Sequence, residues 1–137
     1  EILRCLVGSE MCIRDRDYLE TILMLSQRMG KVRSIDVVNE LGFTKASVSI
    51  AMKKLRENGY IAVDGEGNLT LLEPGLEIAQ RIYSRHQLLT HFFVQLGVDE
   101  QTAAEDACKA EHILSEQTLE KIRESALRND AAHPQAK

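Results

Sequence analysis

The chain is 137 residues long, 44% hydrophobic and free of tryptophan, with a formal net charge of -4. That length holds one ordinary domain, or a small domain with a dimerising appendage. No apolar run approaches the roughly 18 residues of a membrane span, and Cys5, Cys12 and Cys108 form neither a disulfide framework nor a CxxC pair, so the sequence reads as cytoplasmic. The acidic total does not advertise nucleic-acid binding, but the charge is unevenly placed. Acids gather between Asp99 and Glu120, whereas Thr44 to Gly59 carries Lys45, Lys53, Lys54 and Arg56 against Glu57 alone.

Residues 1–16, EILRCLVGSEMCIRDR, lack an initiator Met and a clear hydrophobic period. They resemble a stretch that turns up spuriously in front of unrelated proteins, as if translated from an adapter. They are expected to be a non-native or disordered leader. The alternative is that Met11 to Arg16 extend the first helix. That helix is expected over Asp17 to Met29, with Tyr18, Ile22 and Leu25 on one face and Gly30 ending it. Asp17 and Glu20 are three apart, so their carboxylates project near one another over the first turn. By itself this pair is accounted for by the positive end of the helix dipole.

Ser34 to Tyr60 reads as two helices joined by a tight turn. Ser34 is a good N-cap in front of Ile35, Val38 and Leu41, and Gly42 breaks the pattern where the turn needs it. In the second helix Thr44 can cap, and Val48, Met52 and Leu55 form an apolar back. The front carries Lys45, Ser47, Ser49, Lys53 and Arg56. Small hydroxyls let such a helix approach base edges in a major groove, while Lys53, Lys54 and Arg56 can meet phosphates. Two short β-prone runs follow, Tyr60 to Val63 and Leu69 to Leu72, around the glycine-rich Asp64 to Asn68. Helix, turn, helix, hairpin is a winged helix-turn-helix. Pro74-Gly75 then breaks the chain, and a long helix begins whose apolar stripe, Leu76 to Leu96, is too wide for one small domain to cover. Asp99 caps a helix from about Glu100 to Leu114, Ser115 caps a last one, and residues 128–137 read as a disordered tail containing His133.

Helical offsets of three and four place Cys108, Glu111 and His112 on one face. With Asp17 and Glu20 on the first helix and His86 on the long one, the chain offers thiolate, carboxylate and imidazole donors that a divalent first-row ion accepts. A free core cysteine, a surface glutamate and an ordinary histidine would leave the same pattern.

Taken together, DYLETIL, KKLRENGYI, LTLLEPGLEIAQRIYSRH, LGVD and AEDACKAEHILSE resemble, in kind and order, the DtxR/MntR family of metal-dependent transcriptional repressors. The likeness covers nearly all of the chain after residue 16. It implies a mainly α fold: a winged helix-turn-helix DNA-binding domain over residues 17–74, then a helical metal-binding and dimerisation domain over 75–127. It implies Mn2+ or Fe2+ held by Asp17, Glu20, His86, Cys108, Glu111 and His112. It also implies a homodimer on a double-stranded DNA operator, with base contacts from Thr44, Lys45, Ala46, Ser47 and Ser49. Asp17 is similar to the manganese-type branch and Cys108 to the iron-type branch. Thr90 and Ala104 stand where the iron branch's ancillary site has Glu and His, so that second site is not expected. The short form without an SH3-like third domain is expected, and Pro74 departs from the usual LTxxG. The rival readings are a metalloenzyme and a metal-independent winged-helix regulator answering a small ligand or partner.

Overall fold

The computed structural model describes residues 13–132. Expectations for residues 1–12, with Cys5 and Cys12, and for residues 133–137, with His133, lie outside them. The chain divides into two compact units, one ending at Arg81 and one beginning at Ile82. Among the described residues no helix is long and apolar enough to cross a membrane.

The first unit runs α1 (Ile13–Met29), β1 (Val32–Arg33), α2 (Ser34–Leu41), α3 (Lys45–Glu57), β2 (Ile61–Val63), β3 (Asn68–Leu71) and the start of α4 (Glu73–Gln95). Its core takes Tyr18, Leu19, Ile22 and Leu25 from α1, Val37 from α2, Val48, Met52 and Leu55 from α3, and Ile61 and Leu69 from the sheet. Each such side chain removed from water contributes about 1.5–3 kcal/mol before entropy is counted. α1 packs on α2 and β3, and α3 packs on α2 and β2. The helix-turn-helix therefore shares one core with the wing.

Three local expectations are corrected. α1 already includes Ile13, so residues 13–16 belong to the helix. Asp15 is buried and pairs with Lys54 at 3.0 Å. Asp17 and Glu20 consequently lie beyond the first turn, where the dipole's hold on a carboxylate fades. Ser34 is the first residue of α2 and not its cap; Arg33 holds the cap position in extended conformation, its N–H donating to the Asp36 carboxylate at 2.8 Å. The face that α2 buries is centred on Val37, and Ile35 is 43% exposed. In a helix of two turns, packing against α1 and α3 decides the buried side over the sequence period. Other expectations hold. Gly42 sits at φ 76°, its N–H donating to the Val38 carbonyl, and Thr44 caps α3 by accepting from the Ser47 N–H at 3.1 Å.

The wing is a three-stranded antiparallel sheet in the order β1-β3-β2, with Val32 opposite Leu69 and Val63 also opposite Leu69 on the other side. Asp64 organises its turn. One carboxylate oxygen accepts from the N–H groups of Glu66 (2.8 Å) and Asn68 (2.9 Å), the other from Asn68 Nδ2 (3.0 Å). The Asn68 backbone bond, then its side chain, hold the Asp64 carboxyl below the ordinary aspartate value. A lowered folded-state pKa gives stability that is present above the unfolded value and lost as pH falls through the folded one. Acidification is therefore expected to loosen this turn, read as loss of Asn68 amide protection in step with the Asp64 carboxyl titration by NMR. Asp64→Ala should show no such step.

The departure at Pro74 also has a physical reason. Pro74 lies in the first turn of α4, where a missing N–H costs nothing. Gly75 lies buried against the backbone of Tyr60, and any Cβ there would collide with the Tyr60 carbonyl oxygen, which already accepts from the Leu72 N–H at 2.9 Å.

The second unit holds the rest of α4, α5 (Glu100–Ala110) and α6 (Glu116–Ala132). Leu89, Ala107 and Leu119 form its core, with Phe93, Ala110, Leu114 and Ile122 packed against them. Asp99 caps α5 by accepting from the N–H groups of Gln101 and Thr102, and Ser115 Oγ accepts from the Thr118 N–H. The tail expected from Arg128 is helical through Ala132. Asp130 accounts for the difference, accepting from Gln95 Nε2 at 2.8 Å and lying 3.1 Å from His91 Nε2.

Candidate metal centre and DNA interface

The sequence pattern carries α5 through Leu114, because no glycine or proline interrupts it. The α-helix ends at Ala110. The Glu111 N–H still reaches the Ala107 carbonyl at 2.9 Å, but the His112 N–H bonds to Lys109, three residues back, at 3.3 Å. The chain tightens there into a turn. Glu111 and His112 are thus presented from the end of the helix, not from a continuous helical face with Cys108. Cys108 is exposed on α5.

Glu111 is the buried member, at 2% exposure. One carboxylate oxygen lies 2.9 Å from His112 Nδ1, the other 3.5 Å from Arg85 Nη1. Arg85 also pairs with Glu116 at the start of α6. A carboxylate taken this far from water needs compensating company, and here the Arg85 guanidinium and the His112 ring stand beside it. His86 Nε2 lies 3.0 Å from the Ala104 carbonyl oxygen. A carbonyl only accepts, so Nε2 carries the proton in this arrangement. In the first unit Glu20 is buried and Asp17 half-buried on α1.

Among the described residues, no three His, Cys, Asp or Glu side chains stand gathered as a metal ion would need them. Glu111 and His112 are brought together; His86 is held on a backbone carbonyl. The donor chemistry nonetheless fits a first-row divalent ion: hard carboxylates, a neutral imidazole with a basic nitrogen, and a thiolate in reach of solvent.

On α3, Lys45, Ala46, Ser49, Lys53 and Arg56 are exposed, Ser47 is half-buried, and the Thr44 hydroxyl is engaged in capping. Lys54 pairs with Asp15 at 3.0 Å while its side chain stays 43% exposed. The sequence reading passed over Ile50. It is 70% exposed and shares a helical stripe with Ala46, Ser49 and Lys53. An apolar side chain on that face suits a thymine methyl. Its signal was available, since Ile50 breaks the apolar back of Val48, Met52 and Leu55.

Comparison with known proteins bears on both faces. Residues 12–69 match the iron dependent repressor N-terminal DNA binding domain, and residues 72–134 match the iron dependent repressor metal binding and dimerisation domain. An uncharacterised HTH-type transcriptional regulator of Methanocaldococcus jannaschii is 36% identical over 109 residues, 78% of this chain and 87% of that protein. The chain belongs to the DtxR/MntR family of iron-dependent repressors. The HTH-type transcriptional regulator MntR of Lysinibacillus sphaericus is 32% identical over 106 residues, 77% of this chain and 76% of that one. A solved manganese-dependent transcriptional repressor in complex with manganese superposes with a TM-score of 0.74 at 26% identity, over 82% of this chain. The chain spans about half of that solved protein, 52%.

Within this DtxR/MntR chain the first matched domain ends at residue 69, inside β3, and the second begins at residue 72, just ahead of α4. The six candidate ligands are divided between the two domains, Asp17 and Glu20 in the first and the other four in the second. Thr90 spends its hydroxyl on the His86 carbonyl at 2.8 Å, and Ala104 has no side-chain donor.

Proposed function

We propose that this chain represses genes for divalent-metal uptake when its cytoplasmic Mn2+ or Fe2+ is sufficient, with Asp17, Glu20, His86, Cys108, Glu111 and His112 holding the ion. The observation that carries the reading is Glu111: a carboxylate buried beside an imidazole, in a domain of this family. Bound there, an ion would supply the positive charge that a buried carboxylate lacks. Asp17 and Glu20 lie too far along α1 to be there for its dipole. His86 must leave the Ala104 carbonyl if Nε2 is to coordinate. Cys108 favours Fe2+, Co2+ or Zn2+ over Mn2+, whereas the carboxylates favour Mn2+ and Fe2+. The donors bind deprotonated, so metal affinity weakens at low pH.

In the homodimer of this family two α3 helices face DNA, and half-sites about 34 Å apart suit them. An ion that binds the DNA-competent state better strengthens DNA binding, and DNA strengthens metal binding by the same factor. Lys53 and Arg56 meet phosphates; Lys45, Ala46, Ser47, Ser49 and Ile50 meet base edges.

The test is DNA binding by the chelated full chain, titrated in parallel with Mn2+, anaerobic Fe2+, Co2+ and Zn2+. Tightening by Mn2+ or Fe2+ is expected. Binding indifferent to every ion and to chelators would leave a metal-independent winged-helix regulator. With metal present, Lys53→Ala should lower the slope of log affinity against log salt by about 1 without changing base preference.

A further inference from the structure

Arg85 is a cation the metal reading leaves unused. It precedes His86 on α4, and its side chain is only 15% exposed. Its guanidinium lies between two carboxylates, 3.5 Å from Glu111 and in direct contact with Glu116. The Glu116 side chain is 78% exposed, so the outer partner is solvated while the inner one is not.

We propose that Arg85 is a built-in counter-cation of the metal centre: it neutralises Glu111 in the metal-free protein and lowers the centre's affinity for a divalent ion, while Glu116 draws the guanidinium outward. The inference rests on Glu111 being a ligand. A buried carboxylate without a partner is strongly destabilising, so the metal-free state needs a substitute for the ion. Guanidinium suits this role because it never gives up its proton in a protein. The same charge opposes a second cation at the same carboxylate, and Coulomb repulsion over a few ångströms is large wherever water is excluded. His112 cannot substitute: its Nδ1 contact with Glu111 carries a full charge only when the ring is protonated, which opposes coordination. Glu116 competes with Glu111 for one guanidinium and so decides how much of the charge the inner carboxylate feels. An affinity held down in this way keeps a sensor from filling at trace metal.

The experiment is Mn2+ titration of the chelated full chain by calorimetry, with thermal melts in chelator, on wild type and on Glu111→Gln, Arg85→Gln, Arg85→Lys, Glu116→Gln and the Arg85→Gln/Glu116→Gln pair. Arg85→Gln is expected to bind Mn2+ about tenfold more tightly, to melt lower without metal, and to gain more on adding metal. Arg85→Lys, which keeps the charge, should stay near wild type. Glu116→Gln should bind several-fold more weakly, and that loss should vanish in the Arg85→Gln background. Unchanged or weaker binding by Arg85→Gln overturns the proposal; weaker binding would make Arg85 an orienting partner of Glu111. If Arg85→Gln does not fold, Glu116→Gln at its exposed position decides, and unchanged affinity there overturns it. Glu111→Gln separates the two levels: wild-type Mn2+ binding in that variant removes the ligand set itself, and the counter-cation role falls with it.

Discussion

Glu111→Gln is expected to abolish the metal dependence of DNA binding, a coupling of about 5- to 150-fold in affinity for an allosteric ligand pair, while the helical fold survives. Glutamine keeps the length and volume of the buried side chain. What it loses is the charge that a divalent ion and Arg85 both require. Arg85 retains Glu116, so no cation is stranded. His112→Ala should give the same loss by removing the basic nitrogen of the ring. Both are read by fluorescence anisotropy on a duplex selected from random DNA with Mn2+ present, repeated in chelator, with circular dichroism to check the fold. A variant that keeps the wild-type response to Mn2+ and Fe2+ would sink the assignment of Glu111 and His112 as ligands.

The second large effect concerns stability alone. Gly75→Ala is expected to destabilise the first unit by about 1–3 kcal/mol, the usual cost of forcing atoms into a filled site. The obstacle is the Tyr60 carbonyl oxygen, a backbone atom that also accepts the Leu72 N–H. It cannot rotate away as a flexible side chain would. Urea denaturation should show a lower midpoint at unchanged slope. The loss should be the same with and without Mn2+ after allowing for ligand stabilisation. An unchanged midpoint would mean that the first turn of α4 shifts at little cost.

The features legible in the sequence are those whose causes are local. Thr44 caps α3 because its hydroxyl reaches an N–H three residues on, and Gly42 ends α2 because it tolerates positive φ. The wing turn follows from Asp64, Gly67 and Asn68, whose interactions span five residues. The features missed depend on partners far along the chain. β1 has two residues and no period to detect, and it exists because Val32 and Arg33 pair with Leu69 and Asn68. α2 buries Val37 because of what lies against it. The end of α5 at Ala110 has no glycine or proline to announce it. Of the candidate ligands, residue type and order were readable, but the guanidinium on Glu111 was not, since Arg85 meets it only once α4 and α5 are folded.

The short strand β1 also decides how the wing comes apart. A lone two-stranded hairpin is marginal in water. Here the middle strand, β3, is bonded on both sides, to β2 and to the segment that leads into α2. The hairpin therefore has no separate melting event. Its amide protons should exchange with the same free energy as those of α2 and α3, so the wing and the helix-turn-helix form a single foldon.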